Sequence, residues 1–221
     1  MTHLSEAVDE AKADIKSRKP NIDPKEQERI RLSRRTILAS MGVPKRYREV
    51  AFDTYDVNFN NNEVKVNEIK ELVEQGRWVV LSGRTTGIGK THLAISAMGR
   101  LSYIKSIPEW KCLFVNLRSE GERLLMAGLE REDIIKDWMS KKCLLLDELG
   151  REPDKMINNV ERIIDGFYND MKPLIITTPL SKKELRENNR YDGSILRRIT
   201  DCGKIIEITG KTYRVAGSDT R

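Results

Sequence analysis

The stretch from Trp78 to Met98 changes character twice, and it restricts the fold more than any other part of the chain. The apolar run Trp78-Val79-Val80-Leu81 reads as a buried strand. Residues 82–89 form a glycine-rich turn, and Lys90-Thr91-His92-Leu93-Ala94-Ile95-Ser96-Ala97-Met98 opens a helix. Strand, glycine loop, Lys-Thr and helix in that order make a phosphate-binding loop, because the loop's N–H groups and the helix N-terminus both face an anion. The cradle is expected from Gly87, Ile88, Gly89, Lys90, Thr91 and His92. Lys90 would reach the β- and γ-phosphates and the Thr91 hydroxyl a magnesium ion. The pattern G-x-x-x-x-G-K-[ST] asks for glycine at position 84, where this chain has Arg84. Gly83 stands one residue earlier, so the loop is one residue longer than the pattern.

Four further apolar runs, at residues 111–116, 143–146, 174–178 and 204–208, read as strands. Between them lie amphipathic segments. Val64, Val66, Ile69, Leu72 and Val73 predict a helix closing at Gly76. Residues 120–138 predict a helical element broken near Gly128, and Ile163, Ile164 and Phe167 mark one face of another helix. Ser181 with Glu184 caps a short helix, and residues 195–199 are helical. Continuous apolar strands alternating with such helices predict an α/β fold with a parallel sheet covered on both faces.

A second motif joins the first. Leu144-Leu145-Leu146 runs into Asp147-Glu148, an apolar strand ending in acids. Alone this often marks only a strand entering a loop, but paired with an upstream Gly-Lys-Thr it points to nucleoside triphosphate hydrolysis. Asp147 would hold magnesium through its waters and Glu148 would polarise the attacking water. Asp165 and Asp170 are competing acids on a helix expected to face solvent. An arginine finger is sought in Ile195-Leu196-Arg197-Arg198-Ile199, where the other reading is a solvated basic turn. The Thr177-Thr178 pair lies where a γ-phosphate sensor is expected.

With 221 residues, the chain suits one α/β domain and a short appendage. No apolar run approaches the ~20 residues of a membrane span. Cys112, Cys143 and Cys202 form no C-x-x-C pair, so neither a zinc site nor a disulfide framework is indicated, and a cytoplasmic protein is expected. The net charge of +6 is uneven, since residues 1–50 carry 12 Lys/Arg against 8 Asp/Glu. That bias permits contact with nucleic acid or an acidic protein face. Asp23 caps a helix with Pro24 in its first position and Glu26 completing a capping box. Arg29, Arg31, Arg34 and Arg35 crowd that helix, and Ser40-Met41-Gly42-Val43-Pro44 ends it at a domain boundary. Residues 1–22 read as a weak helix or disorder.

Taken together, five stretches resemble the AAA+ ATPases of the DnaC/DnaI-type helicase loaders and the related IstB transposition ATPases. They are Gly42-Val43-Pro44-Lys45-Arg46-Tyr47-Arg48 with Phe52-Asp53; Gly89-Lys90-Thr91-His92-Leu93-Ala94; Leu146-Asp147-Glu148-Leu149-Gly150; Thr177-Thr178-Pro179-Leu180; and Thr209-Gly210-Lys211-Thr212-Tyr213-Arg214. The resemblance spans about residues 40–214. It implies a P-loop AAA+ core with a five-stranded sheet in the order 5-1-4-3-2, no C-terminal lid domain, and a short helical N-terminal extension. It implies ATP and Mg2+ as cofactors, and self-association in which Arg198 acts on a neighbour's ATP. Residues 43–52 would lie near the adenine, and residues 120–138 would serve single-stranded DNA.

The resemblance divides the chain into a basic partner-docking extension (1–40), an ATPase domain (41–215) and a flexible tail (216–221). Two departures stand out. The loop is long at Arg84, and Pro179 replaces the asparagine that usually ends the sensor strand. Sensing then passes to Thr178 or is lost, and slow or partner-stimulated ATP hydrolysis is expected. The cysteine-free N-terminal part is not the zinc-binding helicase-docking domain of some loaders. The leading expectation is an ATP-dependent loader that binds a hexameric replicative DNA helicase and helps place it on single-stranded DNA. An IstB-like transposition ATPase binding duplex DNA and a transposase ranks second, because those proteins usually begin with a longer helical domain. A nucleotide-binding adaptor without effective hydrolysis is the third reading.

Overall fold

The computed structural model describes residues 23–187 and 190–213. The expectations for residues 1–22, for Arg214 and for the tail 216–221 lie outside these described residues. Five strands, β1 (Trp78–Ser82), β2 (Cys112–Asn116), β3 (Cys143–Asp147), β4 (Leu174–Thr177) and β5 (Gly203–Glu207), form one sheet in the order β2-β3-β4-β1-β5, every pairing parallel. This is the expected 5-1-4-3-2 order. Alternate residues along each strand serve opposite faces. Val79, Leu81, Leu145 and Ile175 enter one core, while Trp78, Val80, Leu144, Leu146 and Ile176 enter the other. Both faces are therefore dry, which is why these strands read as unbroken apolar runs.

The first core is closed by α1 (Pro24–Ser40), α2 (Glu63–Gln75) and α3 (Lys90–Ile104). The second is closed by α4 (Leu117–Met126), α5 (Arg131–Ser140), α6 (Ile157–Asn169), α7 (Lys182–Glu187) and α8 (Gly193–Cys202). Asp23 caps α1 by accepting from Lys25 N at 3.1 Å, while Glu26 pairs with Arg29. Only Leu38 of α1 is buried, so the helix leans on the domain through its last turn. The chain just beyond it is part of the core: Met41 and Val43 have no exposed surface, and Phe114 N donates to Met41 O at 2.8 Å. Helix α2 ends at Gly76 in the left-handed conformation, although Val64 on its first turn faces solvent. The expected break at Gly128 separates α4 from α5. Val160, Ile163, Ile164 and Phe167 form the buried stripe of α6. Ser181 and Glu184 cap α7 reciprocally, Ser181 N donating to Glu184 Oε2 at 2.8 Å and Glu184 N to Ser181 Oγ at 3.2 Å. Among the described residues no helix follows β5, and no helix is long and apolar enough to cross a membrane.

Candidate active site

A parallel sheet gathers the carboxyl ends of its strands at one edge, and ligands bind there. The glycine loop leaves β1 at this edge and enters α3. Its turns depend on glycine: Gly87 and Gly89 have φ of +74° and +92°. A Cβ on Gly89 would also lie 2.5 Å from the Tyr55 ring. The first hydrogen bond of α3 runs from Leu93 N to Gly89 O, which leaves the N–H groups of Lys90, Thr91 and His92 outside the helical ladder and directed out of its end. Lys90 Nζ donates to Gly83 O at 2.7 Å and Thr85 O at 2.9 Å, and its third hydrogen remains for a phosphate. Burial pulls the Lys90 pKa down, against Asp147 and Glu148, which raise it. Arg84 turns out of the loop and grips Glu184 on α7 with two hydrogen bonds, of 2.9 and 2.5 Å. The extra residue therefore bulges away from the cradle.

The cradle is braced from outside. Tyr55 OH donates to Ile88 O at 3.2 Å and accepts from Asn62 Nδ2 at 3.1 Å. Tyr213 N donates to Gly87 O at 2.9 Å, its hydroxyl donates to Asp56 O at 2.6 Å, and its ring meets Tyr55 edge-on and lies tilted against Phe59. Around it, Asn60 exchanges two hydrogen bonds with the Lys211 backbone, and Lys65 donates to Thr209 Oγ1. Residues 209–213 thus strap the loop to the segment before α2.

The acidic loop follows β3. Asp147 Oδ1 accepts from Thr91 Oγ1 at 2.9 Å and Thr177 Oγ1 at 2.7 Å, and Oδ2 accepts from Asn116 Nδ2 at 3.0 Å. Burial pushes the Asp147 carboxyl up, against these three bonds. A buried carboxylate beside a threonine hydroxyl is the hard-oxygen donor set that Mg2+ takes, so the residues present fit that ion. Glu148 N donates to Thr177 Oγ1 at 3.0 Å. Beyond it the loop is held by Glu152, a side chain with no exposed surface. Its carboxylate accepts from Gly150 N at 2.8 Å, from Arg190 Nε at 3.0 Å and from the Tyr191 hydroxyl.

The two loops share a cavity of about 530 Å³ lined by Gly87, Gly89, Lys90, Thr91, His92, Asp147, Glu148 and Thr178, which the sequence singles out. Arg46, Tyr47, Thr54, Tyr55, Arg151 and Tyr213 are among the other residues that line it. Three expected residues have partners that the sequence does not announce. The His92 ring turns toward the segment before α2, Nε2 lying 3.0 Å from Ala51 O and 3.1 Å from Thr54 Oγ1, and burial lowers its pKa. Its backbone N–H, not its ring, faces the phosphate end. Thr178 lines the cavity, but its hydroxyl donates to Leu149 O at 2.7 Å and accepts from Leu180 N at 3.2 Å. Thr177 is the one that touches Asp147. Arg198 lies outside the cavity lining, bound to Asp165 at 2.6 Å and to Ser194 Oγ at 2.8 Å. Asp165, expected to face solvent, is that arginine's partner, while Asp170 pairs with Lys172.

Comparison with known proteins agrees with this geometry. The family described as IstB-like ATP binding protein matches residues 4–220. A crystal structure of the DnaC helicase loader superposes with a TM-score of 0.61 at 26% identity, covering 75% of this chain and 100% of that one. A DnaI structure gives a TM-score of 0.64 at 20% identity, covering 78% of this chain and 94% of that one. AMPPCP-bound DnaA from Aquifex aeolicus gives 0.56 at 18%, covering 75% and 50%. A curated relative, a mitochondrial glutamyl-tRNA(Gln) amidotransferase polypeptide of Caenorhabditis remanei, is 28% identical over 129 residues, 55% of this chain and 60% of that protein. The chain therefore spans about three fifths of that relative's length. The fold is the α/β core of the AAA+ DnaC-like ATPases. The chain belongs to the family of IstB-like ATP-binding proteins.

Proposed function

We propose that the protein is an ATPase, slow or partner-stimulated, that binds a replicative DNA helicase and helps place it on single-stranded DNA. The observation that carries this reading is the continuous line Thr91–Asp147–Thr177–Glu148, which joins the glycine loop to the acidic loop at one strand edge. The likeness to the DnaC helicase loader, all of whose chain is covered, supports the choice of partner. ATP lies with its phosphates against the N–H groups at the start of α3, and Lys90 donates to the β- and γ-oxygens. Thr91 and Asp147 would hold Mg2+, which when bound neutralises charge between the β- and γ-phosphates. Glu148 takes the proton of the attacking water. Thr178 reports on the γ-phosphate through its bond to Leu149 O. Arg198 exchanges Asp165 for the γ-phosphate on a neighbouring protomer, and the protein self-associates for that purpose.

Residues 1–40 dock the helicase, with Ile30 and Leu32 of α1 exposed for it. The α4–α5 element, with Met126 and Leu129 bare at its tip, contacts single-stranded DNA. A second reading, a transposition ATPase acting on duplex DNA, is favoured by the IstB-like match. The test is capture of a purified hexameric helicase, with and without ATP, by wild type and Lys90→Ala. ATP-dependent capture lost in the variant supports the loader. ATP-dependent preference for duplex DNA together with capture of a transposase supports the second reading, and ATP bound but never hydrolysed with DNA and partner leaves only an adaptor.

A further inference from the structure

The nucleotide cavity is lined by three cations, Arg46, Lys90 and Arg151. Lys90 belongs to the glycine loop, and the Arg46 guanidinium lies 4.6 Å from the centre of the Tyr47 ring on the segment before α2. Arg151 stands alone on the acidic loop, three residues after Glu148. Among the described residues no carboxylate lies within ion-pair distance of its guanidinium, whereas Arg84, Arg162, Arg190 and Arg198 are each paired.

The backbone under Arg151 is fixed with unusual care. Glu148 and Gly150 both adopt left-handed φ, +65° and +97°, and Arg151 N closes the turn on Glu148 O at 3.0 Å. A glutamate in that region carries a penalty of about 1–2 kcal/mol, a strain that clusters at functional loops. Leu149 and Glu152 flank it and are buried: Leu149 N donates to Thr177 O, Leu149 O accepts from Thr178, and Glu152 is locked by Gly150, Arg190 and Tyr191. An exposed, unpaired guanidinium on an immobilised turn faces the same cavity as Lys90, and its charge is felt there, since it helps to depress the lysine's pKa.

Hydrolysis builds charge on the γ-phosphoryl oxygens, and within this chain Lys90 alone among the expected residues meets them directly. The hydrogen of Thr178 goes to Leu149 O, Pro179 has no donor, and Arg198, outside this cavity, holds Asp165 and is assigned to a neighbouring protomer. We propose that Arg151 is a cationic ligand of the γ-phosphate supplied within the same chain, carried on the turn that also carries Glu148. Water attacks the γ-phosphorus and passes a proton to Glu148. The bond to the β,γ-bridging oxygen breaks, and ADP leaves with that electron pair. Arg151 transfers no proton and stabilises the γ-oxygens throughout. The assignment rests on the cavity being an ATP site.

Calorimetric titration of ATP and of ADP, the former in a Glu148→Gln background, compares Arg151 with Arg151→Ala and Arg151→Lys, and single-turnover hydrolysis compares the same changes with Glu148 intact. Arg151→Ala should lower the ATP-to-ADP preference about tenfold with ADP affinity unchanged, and should slow the chemical step by about 10³-fold, the scale of an arginine finger. Arg151→Lys should restore part of the ATP preference. A folded Arg151→Ala protein whose ATP-to-ADP ratio and hydrolysis rate match wild type overturns the assignment alone. Wild-type protein that binds neither nucleotide overturns the ATP site and the assignment together.

Discussion

The glycine loop and the acidic loop lie side by side at the sheet edge and are held in opposite ways. The glycine loop is set by its own residues and braced from outside, by Tyr55 and by the strap that ends in Tyr213, through hydrogen bonds to its carbonyls. The acidic loop is turned locally at Glu148 and Gly150 but anchored at a distance. It hangs on a carboxylate, Glu152, enclosed with Arg190 and Tyr191 from the segment leading into α8. One loop is a ligand shape, tolerant of a bulge at Arg84. The other positions charged groups and is anchored by a buried carboxylate whose partly exposed arginine also binds Asp154, so that removing the carboxylate strands its buried donors more than its cation.

Changes in the acidic loop should therefore act hardest. Glu148→Gln should cut single-turnover hydrolysis by at least about 10²-fold while ATP affinity stays within about twofold. Hydrolysis that persists would mean that the chemistry is not housed in this loop. Next comes Glu152→Ala, which deprives Arg190 and Tyr191 of their shared carboxylate. Urea unfolding should show a loss of about 2–3 kcal/mol, from the Tyr191 hydroxyl and Gly150 N–H left without an acceptor, and a loss no larger than that of the next variant would erase the contrast between the two anchors. Tyr55→Phe tests the other side, removing the hydroxyl between Ile88 O and the Asn62 amide. It should lower stability by about 1–2 kcal/mol and weaken ATP binding more than it slows the chemical step.

Arg84→Ala should be the mildest, with only a small drop in melting temperature at pH 7. Its signature is in acid. Arg84 and the Ser181 cap hold the Glu184 carboxyl down to about 2, below its ordinary 4.5. A depressed carboxylate stabilises the fold above its unfolded value and loses that contribution as pH falls through the folded one. Melting curves should therefore differ from wild type by a small constant amount above about pH 5 and converge with it as pH falls toward 2.

What was legible in the sequence follows the same division. The strand order came with the family resemblance, while the covered faces and the glycine cradle came from local periodicity and one motif. The arrangement around Asp147 was half legible. Asn116, an amide ending a strand level with Asp147, could have been picked from its position. Thr177 and Thr178 were seen as a pair, but successive strand residues point to opposite faces, and only the register decides which one reaches Asp147. Glu152 with Arg190, Tyr55 with Ile88, and Asp165 with Arg198 join residues 38, 33 and 33 positions apart. No local pattern announces such pairs, because each is made by the fold closing on itself.

The strap that ends in Tyr213 also bears on how the protein comes into being. Every element that names the phosphate site lies in the first two thirds of the chain, yet Gly87 O finds its donor in Tyr213 N. A ribosome that has finished α6 has already made the whole glycine loop, both acids and the Tyr55 brace, but not Arg190, Tyr191 or Tyr213. The nascent chain therefore acquires its motif before its last brace, and Gly87 O is tied down only once Tyr213 has been translated and has folded back over the loop.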